Sequence, residues 1–170
     1  MESGPVLIYR RIDPIADADV VYGNYRDACA ASFGDAARCS TRAEYLDWLT
    51  RRVEEFPDGH VLATLANRGG AIVGQLELQV PYGLRVGYVN LFHVTRDWRR
   101  LGFGRQLHEE YADRYFRAWE ADTIELHVSP TNHAAVQFYR SLGYKLAAVE
   151  TRGDRMWRME RRVERATAAS

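Results

Sequence analysis

Residues 89–105 read VNLFHVTRDWRRLGFGR and join a mostly apolar run to the start of a long amphipathic pattern. Gly102 and Gly104 have no Cβ, so successive backbone N–H groups between them can converge on an anion at the positive end of a helix. This stretch predicts a strand-to-helix turn that binds a pyrophosphate. Four arginines add positive charge around it: Arg96, Arg99, Arg100 and Arg105.

Two other phosphate-binding patterns do not fit this turn. The sequence GxxxxGK[ST] is absent, and the dinucleotide pattern GxGxxG would need glycine at position 107, which is Leu107. The remaining alternative is a glycine-containing turn with solvated arginines and no ligand. The choice between this turn and a pyrophosphate site depends on motifs elsewhere in the chain.

Upstream of the turn, the pattern predicts one strand and two helices. Residues 6–12 form a β-like run, and the alanine-rich segment 16–31 that follows it is typical of a helix. Thr41 and Glu44 make a capping box that opens a second helix, which ends at Pro57.

Three strands are predicted next. Residues 61–66 and 71–80 are β-like runs, and the connection Asn67-Arg68-Gly69-Gly70 suits a hairpin because Asn and Gly tolerate positive φ. The third run, 86–94, is mostly apolar, which favours a central position in the sheet. We expect these strands to be antiparallel.

Downstream of the turn, one long amphipathic helix is predicted from Gly102 to Trp119. Its apolar stripe repeats every four positions and comprises Phe103, Leu107, Tyr111, Tyr115 and Trp119. The polar residues expected largely outside this stripe are His108, Glu109, Asp113 and Arg117.

The last third of the chain adds one more helix and three strands. A strand is predicted at 123–128, and Asn132 caps a helix that ends at Gly143. Two final strands are expected at 144–149 and at about 155–161.

The predicted order is therefore β-α-α-β-β-β-α-β-α-β-β. This order indicates an α/β (α+β) fold with one mixed, mostly antiparallel central sheet and helices on both faces. We expect a single domain over residues 1–165 and a disordered tail over residues 166–170.

Composition excludes several classes of protein. Hydrophobic residues make up 46% of the chain and charged residues 27%, which fits neither a disordered chain nor a membrane protein. Lys plus Arg and Asp plus Glu both number 23, so the chain lacks the net positive charge of a general nucleic-acid binder. The N-terminus, MESGPVLIYRR, contains no apolar run long enough for a signal peptide. We therefore expect a cytoplasmic location.

Cys29 and Cys39 are the only cysteines. Two sulfur atoms without a CxxC pair cannot form a Cys-rich zinc site, and no metal is expected. The simplest prediction is that both are free thiols.

A basic segment near the C-terminus raises nucleic-acid binding as an alternative function. Glu160 and Glu164 interrupt it, which favours a solvated face over a binding surface. Its arginines are Arg152, Arg155, Arg158, Arg161, Arg162 and Arg165.

Two motifs together resemble the GNAT family of N-acetyltransferases. Residues 99–104 match that family's pyrophosphate motif, R/Q-x-x-G-x-G/A, without a gap. Residues 132–144 match a second pattern, N-x-x-A-x-x-F-Y-x-x-x-G-F/Y. The resemblance implies a GNAT-type domain that transfers an acetyl group from acetyl-CoA to a primary amine.

The resemblance also implies where acetyl-CoA binds. The strand before the motif carries a bulge in this family, and the backbones of Phe92 and Val94 are expected to pair with the pantetheine arm. Asn132 matches a residue that contacts the same arm. The pyrophosphate is expected on the backbone of Arg99, Arg100, Leu101, Gly102, Phe103 and Gly104.

Tyr139 matches the family tyrosine that is proposed to protonate the departing thiolate. A phenol can do so because its pKa, about 10, is close to that of a thiol, about 8.5. The alternative is a core aromatic residue on a helical stripe.

The general base is left open by the sequence. Many family members place a Glu where this chain has Asn90, which cannot accept the proton but can orient a water. The substitutes are Glu77, His93 and His127. Without a base, the chain could instead be a non-catalytic acyl-CoA-binding module.

The acceptor is expected to be a small-molecule amine or a protein amine, and neither nucleic acid nor membrane is expected as a partner. Its identity depends on the loop at residues 32–40 and on the turn around Tyr82. A homodimer is common in the family that the chain resembles.

Overall fold

The computed structural model describes residues 4–165 and contains one seven-stranded sheet in the order β1-β2-β3-β4-β5-β7-β6. The strands are β1 Leu7–Arg11, β2 His60–Leu65, β3 Ala71–Gln79, β4 Val86–Val94, β5 Thr123–Val128, β6 Lys145–Arg152 and β7 Asp154–Arg162. The helices are α1 Ala18–Phe33, α2 Arg42–Glu55, α3 Phe103–Leu107, α4 Asp113–Ala118 and α5 His133–Ser141. The predicted order of elements is confirmed. The tail expected at residues 166–170 lies outside the described residues.

The sheet is mixed, as predicted. Neighbouring strands from β1 to β4 are antiparallel, β4 and β5 are parallel, and β7 is antiparallel to both β5 and β6. The mostly apolar strand β4 occupies the central position that its composition favoured.

Helices cover both faces of this sheet. Val61 and Leu62 are adjacent on β2 and both are fully buried, because successive strand residues point to opposite faces. Leu62 packs with Tyr45 and Leu49 beneath α1 and α2, whereas Val61 belongs to the core formed with α4 and α5. The fold thus has a separate core on each side of β3 and β4.

The local signals that predicted the helix ends are confirmed. Thr41 and Glu44 form both hydrogen bonds of a capping box at the start of α2. The Asn132 side chain accepts a hydrogen bond from the backbone N–H of Ala135, 3.3 Å away, at the start of α5. Gly143 adopts a left-handed φ of 92° just after that helix.

The helix predicted from Gly102 to Trp119 differs from the structure in its middle. Residues His108–Ala112 form a π-helical turn between α3 and α4. This wider turn shifts the buried face, so His108 is fully buried and Asp113 is 9% exposed, while Trp119 is 55% exposed. The placement of His108 and Asp113 outside the stripe, and of Trp119 within it, was wrong.

The prediction of free thiols was also wrong. Cys29 and Cys39 form a disulfide with their Cα atoms 6.0 Å apart. Gly34 ends α1 with a left-handed φ of 73° and turns the chain back along the helix, which brings Cys39 to Cys29. A spacing of ten residues could not reveal this contact because it depends on where the helix ends.

Within residues 4–165, no helix is long and apolar enough to cross a lipid bilayer.

Candidate active site

Strand β4 contains a bulge at Asn90. On the neighbouring strand β3, Glu77 lies opposite Leu91 and Leu78 lies opposite Val89, so Asn90 is an extra residue without a partner. A bulge bends its strand and locally disrupts the hydrogen-bond ladder.

Beyond the bulge, β4 and β5 separate. Their paired residues end at Val89 and Leu126, although β4 continues to Val94 and β5 to Val128. The result is an opening between two strands in the middle of the sheet.

Main-chain groups of β4 face this opening. The Thr95 N–H donates to the Val73 carbonyl of β3, 2.7 Å away. Since hydrogen-bonding directions alternate along a strand, the main-chain groups of Phe92 and Val94 point away from β3 and toward the opening. The Val94 carbonyl accepts a hydrogen bond of 2.8 Å from Arg99 Nε.

The glycine-containing turn lies at the end of β4. Arg100 has a φ of 62° and Gly102 a φ of 85°, so two residues of this turn adopt left-handed backbone conformations. Alternation of left- and right-handed residues makes neighbouring N–H groups converge, which is the backbone geometry of anion sites. Leu101, between them, is 64% exposed, so this backbone is open to solvent.

Gly104 has a packing role that its motif did not indicate. A Cβ at this position would lie 2.9 Å from the ring of Phe138, closer than such contacts allow. Gly104 is therefore needed where α3 meets α5, so the two sequence motifs contact each other there. Phe103 is buried and packs against Trp98, with ring centroids 5.8 Å apart.

Arg99 and Arg105, near the turn, already have partners. Arg99 donates to Asp27 of α1 at 2.5 Å as well as to the Val94 carbonyl. Arg105 donates to the Ser141 carbonyl at 3.2 Å. Positive charge at the turn is thus partly balanced by Asp27, which the sequence did not indicate.

Tyr139 of α5 belongs to the core and packs beside Phe92, whose backbone faces the opening. It is 8% exposed, and its ring lies 6.4 Å from that of Phe92 and 5.5 Å from that of Tyr144. Its hydroxyl makes no hydrogen bond with another residue of the range 4–165, and burial raises its pKa. Tyr139 therefore stays protonated near neutral pH and has a proton to donate.

A cavity of about 600 Å³ lies on the opposite face of β4, beneath α1 and α2. Part of the 32–40 loop contributes to it, whereas Tyr82 is fully exposed and does not line it. Its walls are Tyr25, Ala28, Cys29, Ser32, Phe33, Ser40, Glu44, Tyr45, Trp48, Glu77, Asn90, Leu91, His127 and Met156.

Glu77 lies in the wall of this cavity and is only 1% exposed. It accepts hydrogen bonds from the Tyr45 hydroxyl at 2.9 Å and from Gln75 Nε2 at 3.0 Å. Burial raises its pKa to about 7, against the effect of the two hydrogen bonds, which lower it. A carboxyl group that titrates near neutral pH thus faces a cavity that can hold a small molecule.

The three substitutes for a base are not equivalent. His93 is 5% exposed and its Nε2 lies 2.9 Å from Asp27, away from the cavity. His127 lines the cavity and its Nε2 lies 2.9 Å from Glu150. Glu77 combines burial with a place in the cavity wall.

Sequence reasoning missed the partners of Glu77. Neither Tyr45 nor Gln75 was singled out as a functional residue. No local pattern identifies Tyr45, because its hydrogen bonds to Glu77 and Gln75 join residues about thirty positions apart.

Three of the C-terminal arginines, Arg158, Arg161 and Arg165, form ion pairs with acidic residues. Arg158 donates to Glu150, Glu125 and Glu160 at 3.0, 3.1 and 3.2 Å. Arg161 pairs with the buried Asp113. These charges are balanced, which argues against the nucleic-acid alternative.

A family model described as "Acetyltransferase (GNAT) family" matches residues 27–144. No curated protein sequence matches the chain significantly.

Solved structures with a similar fold include Ard1 from Thermoplasma volcanium, with a TM-score of 0.69 and 22% identity over 94% of this chain and 99% of that one. The spermidine N-acetyltransferase from Vibrio cholerae, in complex with CoA and spermine, has a TM-score of 0.69 and 17% identity over 92% and 95% of the chains. The ribosomal-protein-S18-alanine N-acetyltransferase from Escherichia coli has a TM-score of 0.66 and 19% identity over 96% and 97%. Identities this low establish the fold alone.

Proposed function

The chain belongs to the GNAT family of acetyltransferases, and from that premise we propose that it transfers the acetyl group of acetyl-CoA to a primary amine. The observation that carries this proposal is the opening between β4 and β5. The glycine-containing turn follows β4, Tyr139 lies on one side of the strand, and the cavity lies on the other.

The residues around the opening suit an extended pantetheine arm. Main-chain groups of Phe92 and Val94 are directed toward it, as they would be toward an added strand. The backbone from Arg99 to Gly104 would hold the pyrophosphate, and Asn132 lies at the start of the adjacent helix α5. When bound, acetyl-CoA supplies an acetyl group activated as a thioester.

Tyr139 is the proposed proton donor to the departing thiolate. Its hydroxyl has no partner among residues 4–165, and its ring lies beside Phe92, whose backbone faces the opening. The cavity beneath α1 and α2 would admit the acceptor, since Asn90 and Leu91 of β4 form part of its wall. The acceptor would then approach from the face opposite Tyr139.

The test is release of free CoA from acetyl-CoA, measured over a panel of primary amines. An active N-acetyltransferase should release CoA only when an amine is present. Acetyl-CoA binding without turnover on any amine, including peptides with free N-termini and lysines, would favour the non-catalytic binding module instead.

Substitution at Gly104 tests whether the pyrophosphate binds at this turn. Any side chain at this position also meets Phe138, so two variants that share this contact are compared. Gly104→Ala adds only the Cβ that meets the Phe138 ring, whereas Gly104→Asp adds that Cβ and a negative charge. Two like charges about 4 Å apart repel by about 1 to 4 kcal/mol near a protein surface. We expect acetyl-CoA to bind the Asp variant at least about tenfold more weakly than the Ala variant.

Titration calorimetry on both folded variants measures this difference. Equal affinities of the two variants would contradict a pyrophosphate at this turn, and any loss that they share relative to wild type would then be due to the packing of α3 against α5.

A further inference from the structure

Resting on the proposed function, we propose that Glu77 is the general base, and that the acceptor enters the cavity as an ammonium cation without a carboxylate next to its amine. This assignment moves the base from the bulged strand β4 to the neighbouring strand β3.

The hydrogen bonds of Glu77 leave one oxygen available. Tyr45 and Gln75 both donate to Oε2, and Oε1 makes no hydrogen bond with any residue of the range 4–165. Oε2 is thereby fixed in position, while Oε1 can receive a proton. Gln75 is itself held by Asn24 of α1, which donates to its Oε1 at 3.0 Å.

Glu77 is also well placed along the sheet. It lies opposite Leu91, next to the bulge residue Asn90, where β4 begins to separate from β5. Asn90 is exposed in the same cavity wall and can orient the amine or a water without accepting the proton. The bulge thus brings the amine-binding side of β4 close to Glu77.

Other titratable groups face Glu77 from the elements packed around it. Tyr45 donates a hydrogen bond to it, and burial raises the pKa of Tyr45. His60, its cross-strand partner on β2, is buried, which lowers the pKa of His60 to about 4. Further groups on this face are Tyr25 and Asp27 of α1, Glu44 and Arg52 of α2, His93 of β4 and His127 of β5; Arg52 donates to Gln79, two residues from Glu77 on β3.

In the proposed transfer, the ammonium group of the acceptor gives one proton to Glu77 Oε1. The freed nitrogen then forms a bond to the thioester carbon. The carbon–sulfur bond breaks, and the sulfur takes the hydroxyl proton of Tyr139. The nitrogen loses a second proton on becoming an amide, and this proton replaces, through water, the one that Tyr139 gave to the sulfur. The proton on Glu77 leaves to solvent through the cavity, so the products are the amide, the CoA thiol and one proton.

The charges in the cavity wall define the acceptor. Two carboxylates, Glu44 and Glu77, line it, and no Lys or Arg is among the lining residues. Four aromatic side chains also line the cavity, and aromatic faces attract cations: Tyr25, Phe33, Tyr45 and Trp48. Arg38 already lies over the Phe33 ring and Arg52 over the Trp48 ring, 5.2 and 5.3 Å from the ring centroids. A carboxylate beside the amine would be repelled here, so free amino acids should be excluded.

The first experiment needs no acceptor. The side-chain carboxyl carbon of Glu77 is followed by NMR from pH 4 to pH 9, with Glu77→Gln to assign the signal. We expect its midpoint near 7, because burial raises the pKa to about that value. A midpoint near the ordinary value of about 4.5 would overturn the proposal.

Stability gives an independent readout with a definite sign. A carboxyl whose pKa is higher in the folded state stabilises the fold below its unfolded pKa, near 4.5, and loses that contribution as pH rises through about 7. The melting temperature of the wild-type protein should therefore fall further between pH 5 and pH 8.5 than that of Glu77→Gln. Equal losses would contradict the assignment.

The kinetic experiment compares Glu77→Gln with His127→Gln, using the fastest amine of the panel. At pH 7 we expect Glu77→Gln to lower kcat by about 10²-fold, as for loss of a general base. The wild-type rate should fall as pH drops through about 7, and only the Glu77 variant should lose this limb. A limb that survives in Glu77→Gln and disappears in His127→Gln would assign the base to His127.

Acceptor class is tested with pairs that differ by one carboxylate: phenethylamine and phenylalanine, tryptamine and tryptophan, agmatine and arginine. We expect kcat/KM to be at least about 10²-fold higher for each amine than for its amino acid. An amino acid that reacts as well as its amine would overturn the class. Failure of all amines with acetyl-CoA bound would count against the proposed function itself, whereas normal turnover by Glu77→Gln would count only against Glu77.

Discussion

Replacing Tyr139 by Phe is expected to lower kcat by about 10² to 10⁴-fold, the usual contribution of a general acid or base. The Tyr139 hydroxyl makes no hydrogen bond with another described residue, so its removal breaks none of the bonds that hold α5 in place. The ring that packs against Phe92 and Tyr144 is retained. Folding and acetyl-CoA affinity should therefore change little, and steady-state kinetics with calorimetry measure both.

Tyr144→Phe is the matched control, because it removes a second buried hydroxyl five residues away. That hydroxyl lies 2.7 Å from His108 Nε2, so its loss leaves a buried ring nitrogen without a partner. We expect Tyr144→Phe to destabilise the fold by about 1 to 3 kcal/mol, with a much smaller effect on kcat than Tyr139→Phe has. Parental turnover by a folded Tyr139→Phe protein would refute the role of Tyr139.

Gly59→Ala is expected to destabilise the protein by about 3 kcal/mol or more, at the upper end of what overpacking causes. A Cβ at this position would lie 2.0 Å from the Leu78 carbonyl oxygen and 3.0 Å from the Tyr115 hydroxyl. The carbonyl belongs to the backbone of β3, directly after Glu77, and cannot move without shifting that strand. Denaturant unfolding measures the loss.

Gly23→Ala is expected to increase stability in the same assay. Gly23 lies inside α1, and a Cβ there would have no atom within 4 Å. Alanine in an exposed helical position stabilises by about 0.5 to 1 kcal/mol relative to glycine. A Gly59→Ala protein as stable as Gly23→Ala would show that β3 adapts more easily than its close packing indicates.

Local patterns were sufficient to predict the elements of this fold. The capping box at Thr41, the cap at Asn132 and the glycine after α5 each act within a few residues, so a single sequence contains their whole cause. The π-helical turn at His108–Ala112 was missed because its effect, the burial of His108 against Tyr144, depends on another part of the chain.

The candidate site also has parts that the sequence predicted and parts that it did not. The motif at residues 99–104 predicted the turn, and the strand before it was expected to carry a bulge, which the structure shows at Asn90. The cavity could not be predicted, since α1, α2, β3, β4 and β5 all contribute to its wall. The hydrogen bonds from Tyr45 and Gln75 to one carboxylate oxygen of Glu77, which support Glu77 as the general base, are visible only in the structure.

The separation of β4 from β5 has a consequence for how the protein should respond to deuterated solvent. Among the described residues, β4 pairs with β5 over Val86–Val89 and Thr123–Leu126, and Arg85 and Asp122 join the two strands just before these pairs. The amides of Phe92 and Val94 lie in a central strand, yet they face the opening and lack a strand partner there. They should exchange their hydrogens much faster than their neighbours His93 and Thr95. A ligand lying along the opening would slow that exchange and connect the two strands beyond their paired residues.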